Sequence, residues 1–342
     1  MKKLAFGAMT MAVMGTLAAC GDNGAENEAS GSAEDTGETH EIRVAHLVNE
    51  DQSTHVALEE FIENVEARSD GQLQVEAYPN GSLYVSDREA IEAVQTGNLE
   101  MTIPAVAPLS GFNSSFMVFD LPFLFETKDA AYSALDGDLG NTLLDELEED
   151  NLKGLAFAEN GFRHITNNNG PIEDPDDLEG MSLRTMENPV HTDTFQALGA
   201  NASPFAFGEL YTALQQGTYD AMESPVSLVY TNNFYEVQDY LTVSEHFYAA
   251  TILLTNPDFF DDLPEDLQEI IQEEADNYRE EQRQIASEQD EEWMEELEDE
   301  MEINELSEEQ KEQFIEQTSS VYEDYEEEIG SDLIEMAREA NE

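Results

Sequence analysis

Two short stretches carry side chains suited to holding an organic anion. "NGFRHITNN" contains Arg163 and "GMSLRTMENPVHTDTFQALGA" contains Arg184, each beside an apolar, strand-like run and a glycine. A guanidinium so placed presents a fork of N–H donors that grips a carboxylate bidentately. The competing chemistry is a structural salt bridge, since the chain has 78 Asp and Glu against 13 Lys and Arg. Scarcity makes the basic residues informative. Beyond Lys2 and Lys3 eleven remain. Five of these, Arg68, Lys128, Arg279, Arg283 and Lys311, fall on predicted helix surfaces, where a solvated pairing with a nearby acid is explanation enough.

Covalent and metal chemistry find less support. The six histidines, at positions 40, 46, 55, 164, 191 and 246, form no His-x-x-x-His pair or other ligand-like spacing. There is no Gly-x-Ser-x-Gly, phosphate loop or Gly-x-Gly-x-x-Gly. Paired carboxylates are uninformative, because so many acids guarantee pairs by chance. No catalytic residue, metal site or cofactor is expected.

The elements that must hold the arginines alternate. "EIRVAHLV" (41–48) reads as a strand, with His46 near its end, and 56–68 as an amphipathic helix with Leu58, Phe61, Ile62 and Val65 on one face. Leu73, Val75 and Ala77 mark a second strand, closed by the Pro79-Asn80-Gly81 turn. A helix follows from Asp87, capped by Ser86, to Thr96, where Gly97 stops it, and "LEMTIP" resumes a strand. Next come a helix over 129–149, strands at 154–158 and 181–185, and a helix over 189–198. That last helix has Asn188 as N-cap, Pro189 at its first position and Gly199 as its stop. Such alternation argues an α/β fold. From Pro264 apolar residues keep helical spacing to Met301, which predicts a long helix starting at Asp262 with a capping box to Glu265. Helical spacing resumes after Ser307.

At 342 residues, 40% of them apolar, the chain has material for two domains. A net charge of −65 argues against nucleic acid and anionic lipid headgroups as partners. A folded chain so acidic suits a salt-loving source, because at about 1 M salt the Debye length falls to about 3 Å and self-repulsion is screened.

The first residues, "MKKLAFGAMTMAVMGTLAAC", read as an export signal: Lys2 and Lys3, an apolar run too short to span a bilayer, then small residues. "LAAC" resembles a lipobox, which would make Cys20, the only cysteine, a lipidated N-terminus. Residues 21–40, rich in Gly, Ser, Glu and Asp, read as a disordered tether from an extracytoplasmic membrane surface.

From "NGFRHITNNNGPIEDPDDLEGMSLRTMENPVHTDTFQALGANASPFAFGELYTALQQGTYDAMESPVSLVYTNN" the chain closely resembles the solute-binding subunits of tripartite ATP-independent periplasmic (TRAP) transporters, in the dicarboxylate-binding family. The likeness runs from about Ile42 through "FDLPFLF" (119–125) to "DLPEDLQEIIQEEA" (262–275). It implies a two-domain periplasmic-binding-protein-like fold that closes at a hinge, with a long helix shared between the lobes. We place one lobe at 41–160 plus 250–285 and the other at 161–249 plus 286–342. It further implies that Arg184 makes the main salt bridge to a substrate carboxylate, that Arg163 gives a second contact, and that Phe207 in "FAFGELY" packs on the ligand. Glu223 and Ser224 of "MESP" complete the expected site. Relatives usually have Asn where this chain has Ser224, and a hydroxyl cannot supply both an amide donor and a carbonyl acceptor.

His46 could face the cleft, although a satisfied buried polar role is the plainer reading. Trp293 is expected to pack in the core or hinge. The implied ligand is a small organic acid: a four-carbon dicarboxylate, a sugar acid, or a smaller hydroxy or keto acid. "GFR", in place of a lysine that some dicarboxylate binders carry, tilts the expectation toward a sugar acid. The implied partners are the integral-membrane subunits of the transporter, with the chain itself monomeric. Two other classes stay open, a surface lipoprotein that engages another solute or a protein, and a secreted hydrolase.

Overall fold

The computed structural model describes residues 39–341. The export signal, Cys20 and all but the end of the predicted tether lie outside the described residues. Among the described residues nine strands form one sheet: β1 His40–Ala45, β2 Leu73–Tyr78, β3 Met101–Thr102, β4 Lys153–Asn167, β5 Ser182–Thr185, β6 Asn201–Pro204, β7 Ala221–Pro225, β8 Tyr240–Thr255 and β9 Glu302–Glu305. Their order across the sheet is β2-β1-β3-β8-β4-β7-β5-β6, with β9 beside the first half of β8. β1 pairs in parallel with β2 and β3, and β5 with β6 and β7. Between these parallel ends β4 and β8 run antiparallel, almost their full length together.

Both faces of the sheet are covered, as parallel strands require. At the β1–β3 end alternate residues split between two clusters. Ala45, Ile252 and Leu254 pack with Phe116, Phe119 and Ile329, whereas Val44 and Leu253 pack with Leu58, Phe61 and Ile271. At the other end Ala221 joins Leu183, Phe195 and Phe314, while its neighbour Met222 joins Leu210, Trp293 and Leu297. The helix Glu265–Leu297 touches two of these clusters, through Ile271 and Tyr278 near its start and Trp293 and Leu297 near its end. Its 33 residues span about 50 Å at 1.5 Å per residue. Trp293 stacks on Tyr230, as a core residue rather than a pocket wall.

Several local expectations hold to the residue. Ser86 accepts the Glu89 N–H to cap Asp87–Gln95, Asn188 caps Pro189–Ala197, and a helix follows Ser307, over Glu308–Ile329. Others are corrected. The long helix does not start at Asp262. That residue ends a short helix, Pro257–Asp262, capped by Asn256, and the long helix starts after Pro264 without a side-chain cap. The predicted helix over 129–149 is two helices, Lys128–Asp136 and Asp138–Glu146, followed by a 3-10 turn. At Gly140 a Cβ would lie 1.8 Å from the Leu135 carbonyl oxygen, so the close approach at this break admits only glycine. The strand expected at 154–158 continues through "NGFR" to Asn167, because a bulge between Glu159 and Gly161 absorbs the glycine without ending the pairing.

Candidate solute-binding site

A cleft opens where β4, β5 and β7 approach the loops after β1 and β3, and Arg163, Arg184, Ser224 and Phe207 all line it. Each is positioned by a different element. Arg184 lies on β5, just before the turn into the helix capped by Asn188. The Asn188 side chain takes the Val190 and His191 N–H groups on its oxygen and donates to Asp120 and the Ala107 carbonyl, pinning that turn to the "FDLPFLF" segment.

Arg184 is only 3% exposed, donates from Nε to the Phe205 carbonyl at 2.9 Å, and has its guanidinium carbon 6.0 Å from the centre of the Phe207 ring. Burial pulls its pKa down to about 10, which leaves it charged at neutral pH. Among the described residues the other basic side chains, with the one exception of Arg338, each have a carboxylate within 4.0 Å. Arg184 has none. Arg338 lies over the Tyr322 ring, well away from the cleft.

Arg163 differs. It is a mid-strand residue of β4, and the antiparallel register of β4 with β7 places it opposite Pro225. Its Nε donates to the Glu223 carboxylate and one Nη to the Glu223 carbonyl at 2.8 Å, while its Nη1 has no protein partner. Glu223 is fully buried and does not line the cleft; it is the counter-ion behind Arg163, which corrects its expected place among the ligand contacts. Burial raises the Glu223 carboxyl, but Arg163, His191 and His246 together hold it well below the usual carboxylate range. His191 in turn bonds Asp120 through Nε2 at 2.8 Å and stacks on Phe247.

His46 is not part of the cleft wall either. Its Nε2 faces His55 Nδ1 at 2.9 Å, while the next two residues, Leu47 and Val48, line the cleft. Lys128 departs from the surface role its sequence suggested: it reaches the fully buried Glu159, and Asp290 of the long helix, both at 2.8 Å. Arg68, Arg279 and Lys311 pair with acids near the surface as expected, whereas the Arg283 side chain is only 10% exposed and lies over the Tyr132 ring while pairing with Asp136.

Sequence reasoning missed Asp87, Glu187, Asn160, Thr54 and Thr251, all of which line the cleft. The first two were two acids among 78, with nothing in their spacing to mark them. Asn160 was hidden by the same glycine that made β4 look like a turn.

Three buried histidines make stability depend on pH. Burial depresses His46 and His164 to about 3 and His246 to about 4, from the usual 6.5. Below 6.5 the unfolded chain therefore binds more protons than the native one, and stability falls as pH falls toward those values. His191, raised by Asp120 against the effect of burial, acts the other way: its contribution is full below 6.5 and fades as pH rises through its folded value. Asp87 and Asp290, which burial raises to about 7 and about 6, take up protons in the native state over the same range and act with His191. The histidine effect is therefore read by difference: between pH 7 and pH 5.5 His164→Gln should lose about 1 kcal/mol less stability than the wild type, measured by urea unfolding in about 1 M salt, and an unchanged profile would contradict this.

Residues 44–328 match the family described as bacterial extracellular solute-binding protein, family 7. The C4-dicarboxylate-binding protein DctB of Bacillus subtilis is 35% identical over 86% of this chain and 84% of its own length. The 2,3-diketo-L-gulonate-binding protein YiaO of Escherichia coli is 32% identical over 72% of this chain and 75% of its own. Among solved structures, the sugar acid binding protein DctPAm of Advenella mimigardefordensis in complex with galactonate superposes with a TM-score of 0.87 at 37% identity. It covers 89% of this chain and 98% of that one. A TRAP periplasmic solute-binding protein of Sulfurospirillum deleyianum with bound succinate gives 0.84 at 31% identity, over 88% and 99%. A family match over most of the chain, one continuous α/β sheet with a long helix across it, and a buried unpaired arginine in its cleft agree: the chain belongs to the DctP family of bacterial extracellular solute-binding proteins, family 7, the solute-binding subunits of TRAP transporters.

Proposed function

We propose that this chain captures a small organic acid by its carboxylate outside the cytoplasm and delivers it to the integral-membrane subunits of a TRAP transporter. One observation carries the reading. Arg184 is a buried charge at the wall of the cleft with no carboxylate within 4.0 Å among the described residues. An isolated buried charge is costly, and an incoming anion relieves the cost while gaining charge-assisted hydrogen bonds. The bound ligands of related proteins, galactonate and succinate, share a carboxylate.

The two-lobe division at 41–160 plus 250–285 and 161–249 plus 286–342 belongs to the same proposal. Two core clusters lie at each end of the sheet with β4 and β8 running between them, which supports a division into two lobes; the C-terminal residues Ile329, Leu333 and Ile334 pack in a cluster at the β1–β3 end and so cross those bounds. Bending of these strands would part the cleft walls. Lipidation at Cys20, a monomeric state and a salt-rich habitat complete the proposal and rest on sequence alone.

A thermal-shift screen of carboxylic acids in high salt tests the function. A ligand at 100 times its dissociation constant adds about 2.7 kcal/mol of stability, and an accepted acid should come back from the incubation unchanged. Consumption of the ligand would establish an enzyme instead, and no stabilisation by any acid would leave the protein-binding lipoprotein as the better reading.

A further inference from the structure

We infer that the ligand is a monocarboxylate bearing several hydroxyl groups, of the aldonate or uronate kind, with Asp87 and Glu187 set to receive its hydroxyls and to refuse a second carboxylate. The inference rests on the carboxylate reading of Arg184 and concerns the other end of the molecule.

A dicarboxylate needs compensating positive charge at both ends. The cleft wall has two guanidinium groups, but Arg163 is already neutralised by Glu223, which leaves one net cation, at Arg184. Asp87 and Glu187 line the same cleft, and neither has a Lys or Arg within 4.0 Å among the described residues. Asp87 opens the helix Asp87–Gln95, directly after its cap Ser86, and both residues line the cleft. A second ligand carboxylate would meet these two acids. Like charges set against each other in a desolvated site cost enough to exclude a wrong partner.

The neutral groups of the wall point the same way. Thr54 Oγ1, Asn160 Oδ1, Ser224 Oγ and Thr251 Oγ1 are buried, line the cleft and have no protein partner. Hydroxyls and an amide oxygen left unpaired match a ligand whose own groups both donate and accept. Ser224 thereby has a role suited to its short hydroxyl. A sugar hydroxyl needs one partner from it, whereas a carboxylate would draw more from an amide. Burial also pushes the Asp87 carboxyl up to about 7, within reach of both accepting from and donating to a hydroxyl.

The test is calorimetric titration of the mature chain in about 1 M salt at pH 8, where Asp87 is ionised. D-galactonate, D-glucuronate and succinate are compared on the wild type, on Glu187→Gln, on Asp87→Asn with Glu187→Gln, and on Arg184→Ala. We expect one or both hydroxy acids to bind and succinate to bind about 100-fold more weakly or not at all. The double variant should narrow that gap to about tenfold or less, with Glu187→Gln alone moving it part of the way. Circular dichroism melting of each ligand-free variant checks that the fold is kept, and the single Glu187→Gln variant stands in if the double one unfolds. Succinate binding as tightly as the hydroxy acids, with loss in Arg184→Ala, would overturn the inference and leave the carboxylate reading intact. So would an unchanged preference in folded variants. If none of the three acids bound the wild type, both readings would fall together.

Discussion

Arg184→Ala should lose 30-fold or more in affinity for the cognate acid while leaving the ligand-free protein as stable as before, or more so. Truncating one partner of a buried charge-assisted pair costs about 2–5 kcal/mol, which is roughly 30-fold to a few thousand-fold in dissociation constant. The stability half of the expectation separates this arginine from an ordinary structural one. Arg184 has no carboxylate partner to strand and makes one hydrogen bond, from Nε to the Phe205 carbonyl. Removing it ends the cost of a buried charge, and only the packing of its stem beside Phe207 is forfeited. Arg184→Lys should fall between, because it keeps the charge and loses the fork. Calorimetry and urea unfolding in about 1 M salt check both halves. Affinity within threefold of wild type would refute the assignment, and so would a stability loss of about 3 kcal/mol, the signature of a broken structural pair.

What the sequence made legible was local. Caps at Ser86 and Asn188 follow from a side chain bonding a backbone N–H two or three residues away, so a short window contains both partners. The unusual standing of Arg184 was legible too, because basic residues are rare here and its strand-to-helix setting is clear in "MSLRTMENP". Pairings set by the sheet were not. Glu223 is sixty positions from Arg163 and acts as its counter-ion only because β7 lies antiparallel beside β4 with Arg163 opposite Pro225. Lys128 on its helix looked solvated because nothing local shows that a bulge in β4 turns Glu159 toward it. Acidity itself blurred the far side of the site: among so many carboxylates aimed at water, the two that line a cleft have no distinguishing neighbour in the chain. Resemblance to known relatives supplied the expectation that Arg163, Phe207 and Ser224 meet the ligand, and all three line the cleft, whereas Glu223 lies behind Arg163.

Glu223→Ala should destabilise the fold by about 3–5 kcal/mol, the cost of leaving a buried partner charge uncompensated. Arg163 would keep a single hydrogen bond, to the residue-223 carbonyl, and His191 and His246 would lose the carboxylate that lies 3.6 and 3.7 Å from them. Linkage gives the same sign. The Glu223 carboxyl is held well below its ordinary value, so its contribution is full above the unfolded value near 4.5 and is lost only as pH falls toward the folded one. The deficit of Glu223→Ala should therefore persist from pH 7 to pH 5.5 and shrink in stronger acid. Replacing the pair together, Arg163→Met with Glu223→Leu, should recover most of the loss, since apolar residues of similar size are often neutral or better in place of a buried ion pair. Urea unfolding measures all three, and a Glu223→Ala cost below about 1 kcal/mol, the range of an exposed pair, would refute the buried counter-ion. The double variant should nonetheless bind its acid poorly, because the Arg163 Nη1 that lacks a protein partner goes with it. A pair that stability can do without and binding cannot is a positioning device: Glu223 cancels the charge of Arg163 and aims it, leaving Arg184 as the one charge the ligand must answer.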